Sequence, residues 1–111
     1  MAKMLLLGAE PATTTAVAAV LTAAGHGVVL TSPTEIRDEL RRQAYALLFI
    51  ADGGADSPSA DIAVEAEERG VRAVIMTKSA RRLDALRAKG LICFEQPDSP
   101  EALQAAIQTR L

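Results

Sequence analysis

The feature that most narrows the fold is a recurrence of short apolar runs without polar alternation, at Met4–Leu7, Val28–Leu30, Leu47–Ile50, Ala73–Met76 and Leu91–Phe94. Such runs read as strands covered on both faces, since a half-exposed strand alternates apolar with polar residues. Segments with helical spacing separate them. Val17, Val20, Leu21 and Ala24 share one face, Ile36 and Leu40 another, and Leu103, Ala106, Ile107 and Leu111 a third. Weaker stripes, Ile62 with Ala66 and Leu83 with Leu86, supply the remaining helices. The punctuation agrees. Ser32-Pro33-Thr34-Glu35 has the serine, proline and glutamate of a capping box, and Ser57-Pro58 and Ser99-Pro100-Glu101 repeat the Ser-Pro start. Gly25, Gly70 and Gly90 stand where helices should stop.

Strict alternation of strand and helix predicts an α/β fold with a parallel sheet, because right-handed crossovers are almost the sole way to join parallel neighbours. The expected architecture is a flavodoxin-like, doubly wound five-stranded sheet of order 2-1-3-4-5. A chain of 111 residues holds one hydrophobic core, so residues 1–111 are read as one domain. In such sheets ligands gather at the C-terminal strand ends, beside the switch point between the first and third strands. That directs attention to Gly8 to Pro11, Ala51 to Gly54, Thr77-Lys78 and Glu95 to Pro97.

Composition then excludes several functions. A net charge of −2, one Tyr and no Trp provide neither a basic field nor a stacking platform, so direct nucleic-acid binding is disfavoured. The apolar run Met4–Leu7 is too short for a secretory core or a membrane span, and a cytoplasmic protein without membrane contact is expected. Cys93 is the single cysteine, so no disulfide framework or zinc cluster can be drawn; between Ile92 and Phe94 it reads as an unreactive core thiol. His26, in Gly25-His26-Gly27, is expected at the surface of a turn. Gly53-Gly54 with Ser57 and Ser59 lacks both the P-loop lysine and the dinucleotide glycine pattern, and reads as a flexible loop.

The segments Leu5-Leu6-Leu7-Gly8-Ala9-Glu10-Pro11, Tyr45-Ala46-Leu47-Leu48-Phe49-Ile50-Ala51, Val74-Ile75-Met76-Thr77 and Phe94-Glu95-Gln96-Pro97 carry a resemblance. Over essentially its whole length the chain resembles the response-regulator receiver domain. The resemblance implies a phosphoryl group accepted on an aspartate, Mg²⁺ held by that aspartate and two nearby acids, and a lysine that helps neutralise the phosphate. Each part has an electrostatic purpose: Mg²⁺ requires hard oxygen ligands, and the transferring phosphoryl group needs its charge cancelled. Here the acidic pair falls on Gly8 and Ala9, the phosphoacceptor on Ala51 and the lysine on Gln96. Thr77 keeps the family's hydroxyl position, while the aromatic position that moves with it falls on Cys93. Glu10 reads as a helix-end acid. Pro97 matches a proline whose preceding bond is commonly cis in the family, so the resemblance implies a cis Gln96–Pro97 bond.

Asp52 stands one residue beyond the phosphoacceptor position, where a one-residue shift reverses the side chain's direction. Even with a local bulge it would lack the paired acids and the lysine. The expectation is therefore a degenerate receiver, a pseudo-receiver without enzymatic activity, cofactor or metal, that acts in bacterial signalling through protein contacts independent of phosphorylation. The alternatives are a conventional receiver using Asp52, a small-ligand-binding flavodoxin-like domain, and a DNA-linked regulator with its output domain elsewhere. The expected partner is a kinase, an output domain, another regulator or a second copy. Its docking face would involve Arg81, Arg82, Arg87 and Cys93, within a basic cluster that also contains Lys78 and Lys89.

Overall fold

The computed structural model describes residues 3–8, 10–42, 44–52, 58–97 and 99–110. Strands and helices alternate as β1 (Lys3–Gly8), α1 (Pro11–Ala23), β2 (Gly27–Thr31), α2 (Ile36–Arg42), β3 (Leu47–Ala51), α3 (Ser59–Glu68), β4 (Arg72–Thr77), α4 (Ala80–Ala88), β5 (Ile92–Glu95) and α5 (Pro100–Arg110). All strand pairings are parallel, and the sheet order is β2-β1-β3-β4-β5. This is the flavodoxin-like arrangement expected from the sequence.

Period-two side-chain direction divides the core into two layers. Met4, Leu6, Leu47, Phe49, Ala51, Val74, Met76 and Phe94 face α1 and α5, where they meet Val17, Leu21, Leu103 and Ile107. Leu5, Leu7, Leu48, Ile50, Ile75 and Cys93 face the opposite way, against Ile36, Leu40, Ile62, Ala66 and Leu86 of α2, α3 and α4. The central strand β3 is buried at every position. β2 departs from the expectation of two covered faces: it lies at the sheet edge, and Leu30 is 61% exposed. Ala24 is also exposed, since α1 ends at Ala23 and the chain turns there.

The serines before α2 and α5 act as the sequence suggests, whereas at α3 Pro58 is the N-cap and the helix opens at Ser59. Ser32 Oγ accepts from Glu35 N at 3.3 Å and donates to Glu35 Oε1 at 3.1 Å, a reciprocal cap before α2. Ser99 Oγ accepts from Ala102 N at 3.1 Å at the start of α5. Gly25, Gly70 and Gly90 have φ of 92°, 82° and 80°, the left-handed conformation that ends a helix without Cβ strain. Ser57 and Leu111 lie outside the described residues.

Candidate functional site

The strand-end rim is organised by the register of β3. Ala51 pairs with Gly8 on one side and Met76 on the other. The ladder continues past the strand: Asp52 N donates to Met76 O at 2.8 Å, and Gln96 N donates to Thr77 O at 2.7 Å. Asp52 therefore keeps strand alternation and faces α3 and α4, while Ala51 packs in the α1 and α5 layer.

Asp52 has a fully buried side chain, with 0% exposure. Four donors converge on its carboxylate. Arg82 Nε reaches Oδ2 at 2.9 Å and Arg82 Nη2 reaches Oδ1 at 2.8 Å, a bidentate fork. Ser59 Oγ donates to Oδ1 at 2.7 Å and Thr77 Oγ1 to Oδ2 at 3.0 Å. Burial pushes the Asp52 carboxyl up, but hydrogen bonds from Arg82, Ser59 and Thr77, together with the Arg82 charge, outweigh it and hold the group at about 2. The carboxylate is ionised at neutral pH.

The local sequence aims each donor. Ser59 opens α3 and is 1% exposed, and Thr77 ends β4 at 1% exposed. Ser79 caps α4, its Oγ accepting from Arg82 N at 3.3 Å. That fixes Arg82 in the first turn on the sheet-facing side, while Arg81, rotated by a helical step, is exposed.

The other half of the rim differs. A Cβ at Gly8 would collide with Oγ1 of Thr14 and stand 2.9 Å from the Thr14 Cβ, so that position admits no side chain without displacing α1. Thr14 Oγ1 is itself tied to Glu10 O at 2.9 Å. Glu10 holds Lys78 across the cleft at 3.0 Å, with side chains 60% and 56% exposed. A shallow cleft lies under this pair, lined by Thr13, Ala51, Asp52 and Gln96 as well. Ala9, with Gly53 and Gly54, lies outside the described residues.

Several expectations are corrected by this geometry. The Gln96–Pro97 bond is trans, since no described peptide bond is cis. Cys93 is 5% exposed and its Sγ lies 3.6 Å from Leu83 O, so its side chain belongs to the core and not to a docking face. Arg82 is turned inward onto Asp52 and Lys78 is paired with Glu10, which removes both from the free basic cluster. Arg81, Arg87 and Lys89 remain exposed, with Arg87 Nη2 at 3.4 Å from Cys93 O. His26 is half-buried, its Nδ1 enclosed without a hydrogen-bond partner among the described residues. Sequence reasoning missed Ser59 and Thr14 as parts of the rim, and missed that Arg82 belongs to the site.

The residues present do not fit the Mg²⁺ that such a fold accommodates in receivers. Gly8 and Ala9 bring no side-chain oxygen, Asp52 spends its oxygens on protein donors, and Glu10 faces Lys78. Among the described residues no group of three or more His, Cys, Asp or Glu side chains could hold a metal ion.

No protein-family model matches the sequence, and no curated protein does. Solved structures do. A phosphorylated cyanobacterial phytochrome response regulator superposes with TM-score 0.79 at 13% identity, covering 98% of this chain and 90% of its own. A response-regulator receiver domain protein from Clostridium thermocellum gives 0.75 at 20% identity, covering 98% and 93%. A de novo designed Rossmann 2x3 fold protein gives 0.76 at 16% identity, covering 97% and 87%. The chain thus has the fold of CheY-like receiver domains. Because a designed protein superposes equally well, the fold alone carries no activity. Among the described residues no helix is long and apolar enough to cross a membrane.

Proposed function

We propose that the chain is a signalling module of receiver-like fold in two-component signalling, whose output rests on constitutive protein contacts and not on phosphorylation. The observation that carries this reading is the Asp52 carboxylate, buried and bound by Arg82, Ser59 and Thr77. A phosphoacceptor must present a free oxygen lone pair to the donor phosphorus, beside a metal and a cation that cancel the developing charge. Here each oxygen accepts two hydrogen bonds, and attack would require breaking the Arg82 fork. The neighbouring positions Gly8 and Ala9 supply no carboxylate for a metal, and Gln96 supplies no cation.

The docking face in this reading is α4 with its flanks, where Arg81, Arg87 and Lys89 are exposed. An acidic protein surface suits them, whether on a kinase, an output domain or another regulator in the cytoplasm. The test is incubation of the intact chain with acetyl phosphate and Mg²⁺ followed by whole-protein mass measurement. The expected mass is unchanged. A stable gain of one phosphoryl group, abolished in Asp52→Ala, would overturn the proposal and restore a conventional receiver.

A further inference from the structure

The carboxylate of Asp52 is held as a bound ligand is held. Its four donors come from α3, β4 and α4, and none is adjacent to it in sequence. Ser59 and Thr77 are each 1% exposed, and Arg82 is 20% exposed in its side chain with its backbone N–H capped by Ser79. The backbone that carries the donors is set by the start of α3, the end of β4 and the Ser79 cap of α4, all independent of the carboxylate. A planar fork and two hydroxyls directed at one point match the two oxygens of a carboxylate.

We infer that Ser59, Thr77 and Arg82 form a preorganised oxyanion receptor, which the chain fills from within by using Asp52 as a tethered carboxylate ligand. The inference deepens the reading above and rests on it, since a phosphoacceptor aspartate would have to leave this receptor. Tethering gives the ligand a high effective concentration, so the receptor is filled without any external anion. Its filling joins the α3 start, the β4 end and α4 into one unit, and the α4 face is held in a single position. Removing the carboxylate takes the acceptor from a half-buried guanidinium and from the buried Thr77 hydroxyl, and opens beside them a cavity that a small free carboxylate can enter.

The test uses the whole chain as Asp52→Ala, melted in chloride, formate or inorganic phosphate at matched ionic strength. Formate is expected to raise the melting temperature by roughly 5 °C over chloride at saturation. Wild type, whose receptor is filled, and Asp52→Ala/Arg82→Met, which lacks the fork, should melt alike in formate and chloride. Phosphate raising Asp52→Ala more than these two controls would mark the receptor as a general oxyanion site; an equal rise in all three is solvent exclusion and counts for nothing specific. If Asp52→Ala is unfolded in chloride, recovery of its circular dichroism by formate is read the same way. No formate response in Asp52→Ala, or the same response in the double variant, overturns the receptor. The outcomes are separable: a phosphoryl mass gain on wild type sinks the module reading, whereas absent anion response without that gain sinks the receptor alone.

Discussion

Ala51 and Asp52 are neighbours in sequence, yet they belong to opposite halves of the rim. On the Ala51 side the rim is made of small residues, Gly8 pressed under Thr14, and an ion pair between Glu10 and Lys78 lies largely in solvent. On the Asp52 side an ion pair of the same type is enclosed and tied to two hydroxyls. The difference teaches that charge pairing is decided by its surroundings. An exposed pair is screened by water and contributes about 0–1 kcal/mol, whereas breaking a buried pair strands a charge at a cost of about 3–5 kcal/mol.

The largest effect should come from removing the cation that pairs with the buried Asp52 carboxylate. Arg82→Met is expected to destabilise the fold by about 3–5 kcal/mol in urea unfolding at neutral pH. Its pH dependence separates this from lost packing. In wild type the Asp52 carboxyl lies at about 2, below its unfolded value, so its contribution is present above the unfolded pKa and disappears as pH falls through the folded one. That amounts to roughly 2 kcal/mol. Without Arg82 burial has no opposing cation, the folded pKa rises, and the penalty is relieved on acidification. Arg82→Met should therefore gain stability from pH 7 toward roughly pH 4, where wild type gains none from Asp52. Parallel pH profiles for the two proteins would refute the assignment of the stabilisation to this pair.

A smaller effect sharpens the other half of the rim. Gly8→Ala should cost about 1–3 kcal/mol through its collision with Thr14, and most of that should return in Gly8→Ala/Thr14→Gly relative to Thr14→Gly alone. An additive double variant would place the strain elsewhere. The smallest effect belongs to the exposed pair: Glu10→Gln is expected to change stability by less than about 1 kcal/mol, and the change should fade at high salt. A salt-independent loss as large as that of Arg82→Met would erase the contrast between the two halves.

Most of the fold was legible because hydrophobic periodicity, Ser-Pro starts and left-handed glycines are local signals. Alternation and crossover handedness narrowed the strand order to doubly wound arrangements, of which the flavodoxin-like one was expected and is found. The site was legible only in part. Thr77 and Asp52 drew attention by position, and the missing oxygens at Gly8, Ala9 and Ala51 are plain in the residues themselves. Arg81 and Arg82 could not be told apart, because which of two adjacent arginines faces the sheet depends on where Ser79 starts the helix. Ser59 was read as part of a loop with Gly53-Gly54 and Ser57, whereas it opens α3, and Thr14 reads as an ordinary helix residue until α1 is laid over Gly8.

The sequence by itself determined the alternating βα architecture, the covered core strands and the lack of side-chain oxygens at Gly8, Ala9 and Ala51, since each depends on residue type and near-neighbour spacing. Tertiary structure alone decided that Asp52 is a buried, fully bound anion, that Arg82 is its counter-ion and that Lys78 is spent on Glu10. The physical reason is that these contacts join residues 25, 30 and 68 positions apart, and their strength is set by burial that no local pattern encodes.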